Sequence, residues 1–294
     1  MNPGSSGFAS RPRQRRSAFR PGVGQVSLVS FLLLAAISWG HIILGDDSGI
    51  SELFTLQTWQ RISEFLGQLA GADSEGTPAF LSLESWRSGG KLAVETLAMS
   101  ILAAAMAGVA ALLTFLPAAS NIAYGELAGT GGRAGRVAFH VVRGMFVFSR
   151  SVPELLWAMI IVFMLSPGIL PGAVALAIHN YGILGKLSAE VVEGLDTSPA
   201  QALRSAGAGK FQMLVYGILP QALPQFLRYL LYRWEVIIRT TVVVGFVAAG
   251  GLGHEFRLRM SWFQYDEITL LLVYYLLLVL LVDLVSAGLR RLAR

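Results

Sequence analysis

Arg228, Arg233, Glu235 and Arg239 stand inside or at the rim of an apolar stretch at about residues 222–249, and Thr240 and Thr241 follow Arg239 directly. A charge at mid-bilayer costs roughly 2.5–3.5 kcal/mol on insertion scales, which disfavours placing all four against lipid. A deep guanidinium beside two hydroxyls has the chemistry to offset an anion's charge and donate hydrogen bonds to its oxygens. The competing use of Arg239 is as a scaffold cation bonded to Glu154 or to backbone. Arg228 is placed to snorkel, and Arg233 and Glu235 can form a structural pair. Arg150 and Glu154, four residues apart, are expected to pair across one helical turn. His140 and His179 have no second ligand at metal spacing and read as packing or interfacial residues. The chain has no cysteine, which excludes disulfides, thiolate metal sites and cysteine nucleophiles.

The elements that position these groups follow from composition. Of 294 residues, 54% are hydrophobic and 14% charged, and mean hydropathy is +0.60. A soluble domain normally carries about 25% charged residues, so the solvent implied here is lipid. The net charge of +5 would suit nucleic acid, but the basic residues cluster beside apolar runs, which is a membrane-orientation pattern. No nucleic-acid partner is expected.

Residues 1–25 form a basic tail with Arg11, Arg13, Arg15, Arg16 and Arg20 and no acid. A first span follows at Val26–Leu44, long enough to cross a hydrocarbon core of roughly 30 Å. An acidic, partly helical excursion occupies 45–90, with Asp46, Asp47, Glu52, Glu64, Asp73, Glu75 and Glu84. Further spans are expected at about Lys91–Leu116, Val137–Leu165, Leu170–Val192, Ala222–Ala249 and Glu267–Leu284. The first half of the third is read as interfacial, with its deep part starting near Glu154. Residues 250–266 read as a loop. The expected organisation is therefore a basic tail (1–25), a first span with an acidic segment (26–90) and a core (91–294), all-α with six crossings. Arg-rich termini place both ends in the cytoplasm of a bacterial inner membrane, with 45–90 outside.

Between the fourth and fifth spans lies an informative stretch at about 196–212. Ser198 suits a helix cap and Pro199 a first turn. Ala202, Leu203 and Ala206 give a short apolar stripe, Gly207 and Gly209 turn the chain, and a second helix starts near Lys210. No phosphate-binding loop accompanies it: Gly209-Lys210 is followed by Phe211, and Arg204 stands where a glycine would be needed. The stretch resembles the Glu-Ala-Ala coupling signature of ABC importer permeases, with Gln201, Ala202, Leu203, Gly207, Leu219 and Pro220 in register. Ala208 and Gly209 also look typical. Gln201 replaces the usual glutamate, Leu203 the second alanine, and the isoleucine comes one place late at Ile218.

Three more segments resemble the phosphonate/phosphite branch of that family: Arg150–Ala158, Tyr181–Glu193, and Arg233–Thr241 leading to Gly245–Gly253. Ile237 stands where an asparagine is usual. The resemblance covers about residues 90–294. It implies a type I, methionine-importer-like permease fold with six transmembrane helices and a homodimer of this chain. It further implies two copies of an ATPase subunit that bind ATP and Mg, and an extracytoplasmic substrate-binding protein. Pro199, Gln201, Ala202, Leu203, Arg204, Gly207, Ala208, Gly209 and Pro220 would couple to the ATPase by helix-in-groove contact. Arg239 of both copies, with Thr240, Thr241, Glu235, Arg150 and Glu154, would line or gate a path for a small phosphorus oxyanion. Gly250, Gly251 and Gly253 would belong to an outer gate, where missing side chains let backbones approach. The chain itself carries no cofactor and is not an enzyme on this reading. Other importer branches (phosphate, methionine, amino acid), a secondary transporter and a membrane-embedded enzyme are the competing classes; neither internal repeats nor clustered acids and histidines favour the last two.

Overall fold

Long apolar runs leave backbone groups no water to bond, so they satisfy themselves as helices. The computed structural model describes residues 22–45, 55–72, 77–125 and 132–292, and among these every regular element is helical. The basic tail before residue 22, most of the acids between the first two spans, and residues 126–131 lie outside the described residues.

The chain divides into two units, up to Glu64 and from Phe65 onward. The first holds α1 (Val23–Gly45), apolar on all sides, and the start of α2 (Leu56–Leu69), which is amphipathic. In the second, α3 (Leu83–Thr114) is capped by Ser82, whose hydroxyl accepts from the Ser85 amide. A short α4 (Ser120–Ala123) follows, then α5 (Arg133–Ser151), α6 (Glu154–Met164) and α7 (Ile169–Glu193). After these come α8 (Ser198–Ser205), α9 (Lys210–Gln212), a π-helical turn at Met213–Ile218, and α10 (Leu219–Val244). A second π-helical turn at Gly245–Ala249 leads to α11 (Gly251–Ser261) and α12 (Tyr265–Leu292).

Helix α7 is the hub of this unit, packed by α3, α5, α6 and α10. Small residues allow the close approach. At Gly182 a Cβ would lie 2.5 Å from the Phe146 carbonyl, and at Gly185 2.4 Å from the Phe146 ring. Phe146 is itself buried, with Tyr181 against it edge-on at 5.1 Å. Small residues at such seams are how membrane helices gain packing contacts without a hydrophobic drive.

The expected third span is broken. Helices α5 and α6 meet at 93° across Ser151–Pro153. Pro153 has no N–H, so the Ser149 carbonyl loses its helical donor. The Trp157 indole donates to that oxygen at 3.0 Å, and His179 Nδ1 donates to the Val152 carbonyl at 2.9 Å. The break is thus satisfied by side chains inside the protein. Three helices, α1, α3 and α12, are each long and apolar enough to span, and there are up to five spans if α5–α6 and α10–α11 each count as one bent span. Helix α7 is not among them, in keeping with His179, Asn180, Lys186 and Glu190 along its length. The expected loop at 250–266 is instead mostly α11: Gly250 (φ +86°) and Gly251 (φ +67°) turn the chain sharply, and the helix restarts at once.

Candidate functional site

The stretch between α7 and α10 folds as a hairpin. The Asp196 carboxylate accepts from the Ser198 amide at 3.0 Å and its hydroxyl at 2.7 Å, so the first turn is held from Asp196 and Ser198 is the first helical residue, not the cap. These bonds favour the ionised carboxylate and hold the Asp196 pKa below its usual value. Pro199 occupies the first turn of α8, as expected. Gly207 takes φ +85°, and the Gly209 amide donates to the Gln212 side chain at 2.8 Å to start α9. The inward stripe differs from the expected one. Ala200 is buried, with Leu203 and Ala208 beside it, whereas Gln201, Ala202, Arg204 and Ala206 face outward. A side chain at Gly217 would meet Ala200 Cα and Leu203 Cδ1, each at 3.2 Å, so α8 lies directly on the first π-helical turn.

The hairpin sits on a cluster of Phe115, Ala119, Ile122, Val192, Ala200, Met213, Ile218 and Ala222. Beside it, Arg143 of α5 donates through Nη2 to Glu193 at 2.6 Å and through Nε to the Ala118 carbonyl at 3.0 Å. The Ser120 amide also donates to Glu193, at 2.7 Å, and Asn121 Nδ2 donates to the Val192 carbonyl at 2.8 Å. Partial burial pushes the Glu193 pKa up, but the Ser120 bonds and the Arg143 charge together outweigh it and hold the group below its usual range.

The charged residues of α10 are paired, though not as expected. Arg239 Nη2 donates to both oxygens of Asp283 on α12, each at 2.9 Å, so its partner is neither Glu154 nor backbone. Glu235 is paired with Arg290, also on α12. Arg233 instead reaches Asn180 Oδ1 on α7, with Nε at 2.9 Å. Residues 233 and 235 diverge because two positions along a helix is more than half a turn. Arg228 bonds Gln225 at 3.1 Å. The expected Arg150–Glu154 pair is also replaced: the break at Pro153 puts the two on different helices, and Glu154 lies 3.4 Å from His179 Nε2. Thr240 and Thr241 both donate to the Ile237 carbonyl, at 3.2 and 2.6 Å. Asp283, Asn180 and Arg290 escaped the sequence reading; a lone acid inside the sixth apolar run was the available signal for Asp283. Among the described residues no group of three or more acids or histidines is placed to hold a metal.

The glycine run packs as closely as its composition allows. A Cβ at Gly253 would fall 2.1 Å from the Val242 carbonyl, and one at Gly251 2.6 Å from Thr96 Oγ1. That hydroxyl accepts the Leu252 amide at 2.8 Å. Ala158 and Ile161 of α6 share a cluster with Val244 and Ala249, so the broken span leans on the turn before the glycines.

The chain as a whole has counterparts among known proteins. The profile of the family described as "Binding-protein-dependent transport system inner membrane component" matches residues 121–294. The chain belongs to this family. Members are transport components, not enzymes. The chain is 39% identical over 214 residues to the phosphite transport system permease protein PtxC of Stutzerimonas stutzeri, covering 73% of each. It is 34% identical over 203 residues to the phosphate-import permease protein PhnE of Mycolicibacterium smegmatis, covering 69% of this chain and 36% of that one. Among solved structures, the inward-facing MetNI methionine ABC transporter aligns with TM-score 0.60 at 21% identity, over 72% of this chain and 99% of that one. An amino acid ABC transporter aligns at 0.55 and 18%, over 71% and 98%. The fold is that of the type I ABC permeases, as the sequence led us to expect.

Proposed function

We propose that this chain is the membrane subunit of an ATP-driven importer that carries a small phosphorus oxyanion, such as phosphite or a phosphonate, from a binding protein into the cytoplasm. The observation that carries this reading is the 39% identity to a phosphite permease across 73% of both chains. Two copies of the chain form the pore on a two-fold axis, each engaging one ATPase subunit that binds ATP and Mg. The complex resides in a bacterial inner membrane with both termini in the cytoplasm.

In this scheme the outward face of α8, with Gln201, Ala202 and Arg204, enters a groove on the ATPase, while Pro199, Leu203, Gly207, Ala208, Gly209 and Pro220 shape the hairpin. Arg239 meets the anion. Its pairing with Asp283, with both side chains about half exposed (47% and 39%), favours a face toward water or protein over one toward hydrocarbon. Thr240 and Thr241 hold that stretch of α10 in register through their bonds to Ile237, and Glu235 anchors it to α12. Arg150 and Glu154 flank the break, and Gly250, Gly251 and Gly253 form the outer gate.

The test is uptake by the purified complex, reconstituted with its ATPase and binding protein and offered phosphite, methylphosphonate, phosphate and methionine. Import of a phosphorus oxyanion, and its loss in Arg239→Gln at normal assembly, is the expected result. Import of methionine alone overturns the substrate class, and parental uptake by Arg239→Gln overturns the role of that residue.

A further inference from the structure

Arg143 and Glu193 lie where three segments converge. Glu193 is the last residue of α7, five positions before α8 begins. Through Arg143 it is tied to α5, and through the Ser120 amide to the corner after α3. Arg143 adds the Ala118 carbonyl and lies over the Phe139 ring at 4.9 Å from its centroid. Asn121, next to Ser120, binds the Val192 carbonyl. The residues flanking these bonds, Ala119, Ile122 and Val192, belong to the cluster that seats Ala200 of α8.

The far end of α5 is the 93° break into α6, and α6 packs on Val244 and Ala249 before the glycine turn. A continuous path of bonded and packed groups therefore runs from α8 through Glu193 and Arg143 to α5, then to α6 and the glycine turn. Nothing in the pair touches the outward face of α8 or the Arg239 region, so the proposed roles of those surfaces leave it unexplained.

We infer that Arg143 and Glu193 are positioning residues that bolt α5 to the coupling hairpin, so that movement of α8 is delivered to the broken span. The inference rests on the reading of α8 as the ATPase-docking helix. A charge-assisted bond with two further partners suits the task, because it holds direction as well as distance. The bond adds to the close packing of α5 on α7 at Gly182 and Gly185 and ties the end of α7 to the corner that seats the hairpin. Coupling of this kind is carried by elements whose equilibrium both ends bias, and it is recognised by measurement of the coupling itself.

The experiment uses the complex purified through this chain with its ATPase and binding protein, reconstituted with phosphite as the probe. Arg143→Gln and Glu193→Gln are compared with the parent for ATPase content, hydrolysis and phosphite imported per ATP. Glu193→Gln keeps an oxygen for the Ser120 amide and is the milder change. Hydrolysis near the parental rate is expected, with import per ATP lower by about fivefold or more, the lower end of usual coupling strengths. The chain has no cysteine, so spin labels can be placed on the isolated chain at Val141 on α5 and Ser205 on α8 before the complex is assembled, with no background from the chain itself. Their spacing should stay fixed between nucleotide-free and nucleotide-trapped parent and change in the Gln variants. A parental import-to-hydrolysis ratio in both variants overturns the inference, as does a spacing that changes in the parent. If the parent brings down no ATPase at all, the reading of α8 fails and takes the inference with it.

Discussion

Single residues fix the geometry of this protein in two ways, by the backbone angles they permit and by the partners they reach. Gly207 and Gly250 are legible in the sequence, because a positive φ leaves a mark in residue type. The charge partners of α10 are not, because they come from helices far along the chain. Arg239 and Asp283 are paired across 44 positions, and Arg233 and Asn180 across 53. Of the two short-range pairings expected, Arg150 with Glu154 fails because Pro153 stands between them, and Arg233 with Glu235 because two positions along a helix point the side chains apart. Two outcomes follow. Asp283→Asn removes a pair whose side chains are 47% and 39% exposed, and pairs so exposed contribute about 0.2–1 kcal/mol; membrane yield should fall slightly, and Arg239→Gln added to it should bring little further loss on quantitative blotting. Glu193, with its pKa held below the usual 4.5, contributes stability that is present above that value and lost as pH falls through the lower folded pKa. The melting difference between parent and Glu193→Gln should therefore be full at neutral pH and shrink below pH 4.5.

At the scale of elements, hydropathy located most helices but misjudged their breaks. The third span was legible as divided near Glu154, because Pro153 and the two arginines before the deep part marked it. The size of the bend was not, since it depends on Trp157 supplying a donor from the far side of the break and His179 another from α7. The stretch after Gly250 reads as a loop in sequence, since glycines, arginines and a histidine weaken its apolar pattern; in the structure it is helical, with the Leu252 amide in its first turn donating to Thr96 of α3. Glycines inside helices divide by what they face. Gly182→Ala places a Cβ 2.5 Å from a backbone oxygen and should cost about 1–3 kcal/mol, the usual range for overpacking. Gly144→Ala meets nothing within 4 Å and should gain about 0.5–1 kcal/mol, the helical advantage of alanine. Thermal unfolding of the two variants in detergent checks both signs.

At the scale of the whole molecule, the six expected crossings do not map onto six uniform apolar rods. Three described helices qualify alone and two more only as bent pairs, while the most enclosed, α7, does not qualify. Sequence reading treats lipid as the only neighbour, whereas α7 has protein on most of its faces and can keep His179, Asn180 and Lys186. This predicts where damage spreads. Substitutions on the lipid-exposed side of α12, such as Leu276→Ala (64% exposed), should leave assembly and transport near parental, whereas Leu184→Ala in α7 (0% exposed) should cost about 2–5 kcal/mol, the range for large cavities. Co-purification yield and uptake distinguish the two.

The polar character of α7 also bears on how the chain is made. A segment with His179, Asn180, Lys186 and Glu190 along its length gains from neighbours that accept it. Helices α3 and α5 emerge from the ribosome first; α5 carries the surface that Gly182 and Gly185 fit, and α3 carries Met99, which faces Gly172. Biogenesis would then proceed by docking onto a waiting pair rather than one span at a time, and a chain ending at Glu193 and released from the ribosome would hold α7 in the membrane only if Phe146 were there to receive it.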